Sequence, residues 1–578
     1  MNTAAEATVT TAVTVALMVM AARRPRPRKD IEMLKHSLMA AAVALFAAGC
    51  TMAPKYVRPA APVDQTFPTG GIYDKQPDGA SSASPNASAQ AKPAVDIGWR
   101  DFFADARLQQ IVAIALKNNR DLRVSMLNVA AARSQYQITR AELLPTLDAV
   151  GSQTKSRTPR DLSLFNQTIS NQYSVGVNAS WEIDFFGRIQ SLKDQALEQY
   201  FALAETRKAA EISLVSQVAD QYLTMLSDDD QLTVTRNTLK TADESYRITK
   251  LQFDNGVGTE LDVTQSEGIL QQAAANLQSQ LRLRAQAENA LVLLIGEPLP
   301  ADLPSGLPLD SQNLLADIPA GLPSDLLVRR PDIASAEHSL LAANANIGAA
   351  RAAFFPKISL TGSFGTLAPS LGTLFKPGSA AWSFAPQISI PIVEGGTNLA
   401  NLDLAQIQKR IEIANYEKAI QTAFREVADG LAARGTYDDQ IKALELFVKS
   451  QARGLELSDM RYRNGVDNYL SVLTAQTNLY TAQQLLITAR LNRVTNLVDL
   501  YRELGGGWIE HAGDQPRPSD AMPNYRDIGT PTAAAPAASG ATVSSASAGP
   551  AKLVPVQHLV PVAKPQVDAD GKAVGSAG

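Results

Sequence analysis

Residues 253 to 267 read FDNGVGTELDVTQSE and residues 462 to 476 read YRNGVDNYLSVLTAQ, and the two stretches align without a gap at a separation of 209 residues (462 less 253). A chain that writes one segment twice at so long an interval is built from two copies of a large unit, not from a string of unrelated domains. In each copy an Asn-Gly pair supplies the left-handed backbone that ends a helix, with Gly256 and Gly465 at the helix-break turns. Thr259 and Asp467 are placed to cap the helices that follow. Each copy therefore reads as helix, tight break, helix. A calcium loop counted from Asp254 needs Gly at its sixth place and Glu at its twelfth, and meets Thr259 and Gln265 instead.

Charge is nearly balanced, at −4 over 578 residues, and no basic stripe offers itself to nucleic acid. The four histidines (His36, His338, His511, His558) are scattered, so no metal site is expected, and a single Cys allows no internal disulfide. No enzyme signature stands out: Gly362-Ser363-Phe364-Gly365 lacks the GxSxG spacing, there is no Walker A loop, and Gly256-Val257-Gly258 lacks the third Gly of a dinucleotide fingerprint. The expectation is a protein that is not an enzyme and holds no cofactor. Aromatics make up only 6% of the chain, which suits extended helices with shallow contacts better than a compact aromatic core.

From Met33 the chain reads MLKHSLMAAAVALFAAGC, a basic start, a short apolar run and small residues before Cys50. That is the pattern of a secretory signal with a lipobox-like end, in which Ala47 stands where Leu is usual. The run falls short of the ~20 apolar residues that span a bilayer. Residues 1–49 read as an N-terminal extension plus signal peptide, with translation starting at Met33, since RRPRPRK upstream fits such a signal poorly. Cys50 is then either a bare residue beside an ordinary cleavage site or the acylated mature N-terminus, a covalent lipid anchor.

Residues 50–98, rich in Pro, Ala and Ser, read as an extended tether, and 509–578 as a disordered tail of similar composition. Between them, helices are expected over roughly 100–141, 187–253, 259–296, 324–353, 395–463 and 468–504. Residues 173–184, YSVGVNASWEID, alternate strictly: Tyr173, Val175, Val177, Ala179, Trp181 and Ile183 on one face, small and polar residues on the other. WSFAPQISIPIV (382–393) and PKISLTGSFG (356–365) alternate likewise, and PTLDAVGSQTK (145–155) more weakly. These are four strands in two hairpins, each near the ~10 residues of a tilted transmembrane β-strand. A half-buried soluble sheet is the other reading of the alternation.

Four strands cannot close on themselves, and lipid does not tolerate open sheet edges. The expected solution pools strands from several copies. Two copies give eight strands, too narrow for a channel, whereas three give twelve around an interior able to hold water. The predicted fold is thus a mixed α and β membrane protein: a homotrimeric 12-stranded transmembrane β-barrel, four strands per protomer, continued by long α-helices.

At this point the sequence resembles the outer-membrane factors, the exit ducts of tripartite efflux pumps, in their lipoprotein branch (OprM/NodT-like, TolC-type). The resemblance covers about residues 50 to 508 and is carried by APKYVRPAAP, DIGWRDFFADARLQQIVAIALKNNRDLRVS, LLVRRPDIASAEHSLLAANANIGAARAAFFPKISLTG, IQTAFREVADGLAARG, RYRNGVDNYLSVLTAQ and LYRELGGGW. It implies two outer-membrane efflux repeats, 99–298 and 299–508, a periplasmic helical barrel, and a mixed belt around its middle. It also implies placement in the outer membrane, lipid-anchored and extending into the periplasm. The implied partners are a periplasmic adaptor (membrane fusion protein) and an inner-membrane transporter of the resistance-nodulation-division type. The implied function is passive conduction of small molecules or drugs to the outside; a type I protein-secretion duct and a non-pore coiled-coil scaffold are the alternatives. Family ducts close at their periplasmic end through acidic, Arg and Tyr residues, and the segment NYEKAIQTAFREVADG resembles that region. Arg425, Glu426 and Asp429, with Tyr416, are the gate candidates it implies, against the plain reading of a solvated helix face with an ordinary ion pair.

Overall fold

The computed structural model describes residues 52–73, 94–157, 159, 169–312, 314 and 329–514. Cys50, the segment before it and the tail from residue 515 lie outside the described residues. A helical turn, Trp99–Phe102, precedes α1 (Ala106–Asn118) and α2 (Arg120–Ala141), so the single helix expected over 100–141 is broken twice. Asp105 and Asn119 cause the breaks, because each turns its side chain onto the backbone N–H groups that open the next helix. Strands β1 (Thr146–Arg157) and β2 (Ile169–Ile183) follow, then α3 (Arg188–Asp254) and α4 (Glu260–Ile295). The second half repeats the order with α5 (Pro331–Ala352), β3 (Lys357–Ala368), β4 (Ala380–Ser389), α6 (Thr397–Arg463) and α7 (Tyr469–Glu503). Pro331 occupies the first turn of α5 and sets its start.

The repeat extends far beyond the two quoted segments. Helices α3 and α6 are both 67 residues long and start 209 residues apart (188 and 397). At a rise of 1.5 Å per residue each runs about 100 Å. Their shorter partners do not match that length, and in both halves two helices are stacked end to end instead. The Asn119 amide donates to the Leu294 carbonyl at 2.9 Å, joining the end of α4 to the start of α2. Arg330 donates to the Glu503 carbonyl at 3.1 Å and joins α7 to α5 in the same way. Each half is thus one long helix backed by a jointed one.

The largest fully buried aromatics gather at mid-length, where Phe102, Phe103, Tyr222, Tyr416 and Tyr501 are packed with Leu108, Leu223 and Leu291, while smaller aromatic groups, Tyr200 with Phe201 and Tyr462 with Tyr469, sit apart from them. Phe102 stacks on Tyr501 with ring centroids 4.1 Å apart. A belt several helices thick buries large side chains more fully than a slender pair of helices can.

Residues 52–73 have little regular structure yet lie along the helices. Arg351 donates to the Met52 carbonyl and Asn344 to that of Pro54, at 3.3 and 2.8 Å. Glu337 receives the Tyr56 hydroxyl at 3.0 Å and pairs with Arg58. Farther on, Phe67 enters the belt and stacks on Phe424 at 5.2 Å. At the other end the ordered chain passes Trp508, and the Ile509 carbonyl accepts from the Trp99 N–H at 3.0 Å.

Candidate functional site: a two-faced sheet on a helical wall

All four strands form one antiparallel sheet in the order β1-β2-β3-β4. Register decides what it offers. Ala149, Val177, Phe364 and Trp382 fall in one row, and Leu147, Ala179, Gly362 and Phe384 in the next row of the same face. Rows of the opposite face read Asp148, Asn178, Ser363, Ser383 and Thr146, Ser180, Thr361, Ala385. The alternation read strand by strand is therefore in phase across the whole sheet. On the apolar face Trp382 is 77% exposed and Phe364 70%, a display that water does not favour. On the other face serine hydroxyls pair across strands, Ser152 with Ser174 and Ser363 with Ser383, both at 2.7 Å. Strand β4 ends at Ser389, short of the expected 393, because Pro391 and the Gly395-Gly396 pair carry the chain out toward α6.

Gly176 and Gly365 face each other on the polar side of the β2/β3 ladder. A Cβ built on Gly365 would run into the backbone of Val175 and Gly176. Glycine in a strand commonly marks such a close backbone approach. Gly365→Val is expected to cost about 2–3 kcal/mol and to cut the yield of folded protein sharply, whereas Gly362→Val, whose Cβ has room, is tolerated. Heat-modifiability on electrophoresis distinguishes the two.

At the far end of the helices the two breaks are built alike. Gly256 (φ 74°) and Gly465 (φ 70°) take the left-handed conformation. The next residue in each, Val257 or Val466, donates to the carbonyl five positions back, Gln252 or Arg461, at 2.9 Å. Thr259 caps α4 in a reciprocal pairing with Asp262. In the second copy Asn468 is the cap and not Asp467, which bonds Arg461 at 2.6 Å. The 209-residue offset explains this correction, since it sets Asn468, and not Asp467, opposite Thr259.

The gate candidates separate. Arg425 and Asp429 do share a face, 4.0 Å apart, with side chains 71% and 74% exposed. Glu426, turned about 100° from Arg425, instead reaches Arg330 at 2.9 Å. Tyr416 is fully buried in the belt, and its hydroxyl finds no hydrogen-bond partner among the described residues. None of the four lies at the end remote from the sheet: Asp429 is 34 residues short of the end of α6, about 50 Å along it. The resemblance placed them at a periplasmic closure. Their spacing on α6 puts them at the level of the belt instead.

Several residues of the belt escaped the sequence reading. Asp105, 1% exposed, accepts from the Arg107 and Leu307 amides, the Tyr222 hydroxyl and the Gln312 side chain at 2.8–3.0 Å. It fastens α1, α3 and the 307–312 loop together, and only its place before an amphipathic helix hints at this. At the α7–α5 joint, Glu503 is 8% exposed and its Oε2 has no hydrogen-bond partner among the described residues. Burial, with Asp499 and Glu426 adding repulsion against Arg502 and Arg330, pushes its carboxyl up to about 7. Nearby Asp220 on α3, also with an unpartnered oxygen, is raised to about 7 by burial and the Asp499 charge. Among the described residues no group of acids, His or Cys is arranged to hold a metal.

No described helix is long and apolar enough to cross a membrane. The chain thus presents an open, two-faced β-sheet mounted on ~100 Å helices. The chain belongs to the outer membrane efflux protein family, whose model matches residues 111–297 and 322–506. It is similar to the probable efflux pump outer membrane protein TtgC of Pseudomonas putida, 46% identical over 484 residues, 83% of this chain and 97% of that one. Outer membrane protein OprJ of Pseudomonas aeruginosa is 44% identical over 471 residues, 81% of this chain and 95% of that one. Among solved structures, the open state of the Neisseria gonorrhoeae MtrE outer membrane channel matches with a TM-score of 0.69 and 41% identity, covering 80% of this chain and 100% of that one. A second, a membrane protein from Pseudomonas aeruginosa, matches at 0.70 and 43% identity over 80% of this chain and 98% of that one. The protein is an outer-membrane efflux component of channel fold and not an enzyme.

Proposed function

We propose that three copies of this chain close a 12-stranded barrel in the outer membrane and form the passive exit duct of a tripartite pump. The observation that carries this is the sheet: apolar on one face from the row of Ile183 to that of Val177, largely polar on the other, and open at both β1 and β4. Open edges are not stable in lipid, so β1 of one copy pairs with β4 of the next, and the serine-lined face turns to a water-filled lumen. The helices carry that lumen into the periplasm, where an adaptor and an inner-membrane transporter of the resistance-nodulation-division type engage it. Small molecules are the cargo, in line with relatives named for antibiotic and toluene efflux. An acyl chain on Cys50 would add a second attachment, since Met52, two residues on, accepts a hydrogen bond from Arg351 near the end of α5.

Planar-bilayer recording tests the duct. The purified protein is expected to migrate as a three-chain species and to give discrete conductance steps. Folded, lipid-inserted protein that stays monomeric and passes no current would overturn the reading. The same recordings separate the gate positions: Arg425→Ala and Asp429→Ala, at the belt, leave the closed-state conductance within about twofold of wild type, since an exposed ion pair contributes only ~0–1 kcal/mol.

A further inference from the structure

The polar face of the sheet is nearly free of ionisable groups. Across the four described strands it carries Ser, Thr, Asn, Gln and small residues, the apolar Val150 and Leu367, and three ionisable residues: Asp148, Glu182 and Lys357. Glu182 is neutralised in place by two parallel bonds to Arg188, both 2.9 Å. Lys357 opens β3, six residues before Ser363, which sets it about 20 Å down the strand from the row of Asp148, Asn178, Ser363 and Ser383. Asp148 is exposed and has no cation within ion-pair distance among the described residues. It is thus the lone uncompensated charge of that row, on the first strand and close to where the helical tube passes into the sheet.

We propose that Asp148 is the charge-selecting residue of the barrel, favouring cationic over anionic solutes in the lumen. The proposal rests on the closed three-copy barrel argued above, in which Asp148 recurs three times around one level. Fixed charge lining a pore raises the local concentration of the opposite sign and excludes its own. The uncharged hydroxyl and amide neighbours Asn178, Ser363 and Ser383 hydrogen-bond solutes of either sign equally, so preference by charge falls to Asp148.

Overall conductance would mix this preference with whatever closes the far end of the tube, so the test reads the potential locally. A cysteine is placed in the same row, Ser363→Cys, in the full-length protein reconstituted in liposomes, with and without Asp148→Asn. Its modification rates by a cationic trimethylammonium and an anionic sulfonate methanethiosulfonate are compared, and protein lacking the new cysteine corrects for any reaction at Cys50. Two strand spacings separate residues 148 and 363, about 10 Å. At that distance in water one carboxylate shifts the cation-to-anion rate ratio by about fourfold. The ratio is expected to fall about fourfold on Asp148→Asn at 10 mM ionic strength, and the difference to vanish at 1 M, where the screening length is ~3 Å. An unchanged ratio at low salt overturns the role of Asp148. A cysteine that reacts with a lipid-soluble maleimide but with neither charged reagent shows that this face is not wetted, and the duct reading falls with it.

Discussion

Glu503→Gln is expected to raise the thermal unfolding midpoint at pH 8 while changing it little at pH 5. In the folded chain burial lifts the Glu503 carboxyl from 4.5 to about 7, so the native state holds this proton more tightly than the unfolded state. Stability from the protonated form is therefore full below about pH 4.5 and is lost as pH rises through 7. A shift of that size corresponds to on the order of 3 kcal/mol at pH 8. Gln keeps the site neutral at every pH and removes the penalty. Asp220→Asn follows the same sign, its carboxyl being raised from 3.8 to about 7. Wild-type protein is accordingly expected to lose stability between pH 5 and 8, and a flat midpoint, tracked by the Gln variant at both values, would refute the assignment. The effect is concentrated where it matters mechanically: Glu503 ends α7 at its joint with α5, and its unpartnered oxygen faces Gly430 of α6. Ionisation there loosens α6 from the jointed helix behind it.

Asp105→Ala is the second substitution with a large expected effect, about 3–5 kcal/mol. It removes the cap of α1, worth ~1 kcal/mol. It also strands the Tyr222 hydroxyl and the Leu307 amide in the belt, at ~1–3 kcal/mol each. Limited proteolysis is expected to show early cleavage in the 297–312 connection, which hangs on Asp105 through Leu307 and Gln312. Asp105→Asn, which keeps the oxygen for the Arg107 N–H but sets an amide against other donors, falls between the two. Equal resistance of Ala variant and wild type would show that the loop is held by other contacts.

Much of the wall was legible in the chain because its signals are local. The Asn-Gly breaks at 255–256 and 464–465 read directly, since left-handed backbone after a helix favours glycine. The strands read from a period of two that needs no neighbour to be seen. Capping by Asp467 misled because capping residues look alike in sequence, and only the repeat's strict offset selects Asn468. The gate candidates misled for a related reason: an Arg and an Asp four apart on a helix share a face whatever that face meets, and neither burial nor level along a 67-residue helix is written in the pair. The raised acids Asp220 and Glu503 were illegible, because their shifts come from tertiary burial and, for Asp220, from Asp499 on a different helix.

The sequence by itself determined the two-copy plan, the long unbroken helices, the breaks between them and the two-sidedness of each strand, all of which depend on interactions within a few residues of chain. Only the tertiary structure decided that the four strands share one phase across a single sheet, that short helices stack end to end to match long ones, and that Phe102, Phe103, Tyr222, Tyr416 and Tyr501 meet in one belt. Those outcomes depend on register and on which distant surfaces exclude water together. Neither the spacing of Asn119 from Leu294 nor that of Arg330 from Glu503 announces a contact until the chain has folded back on itself.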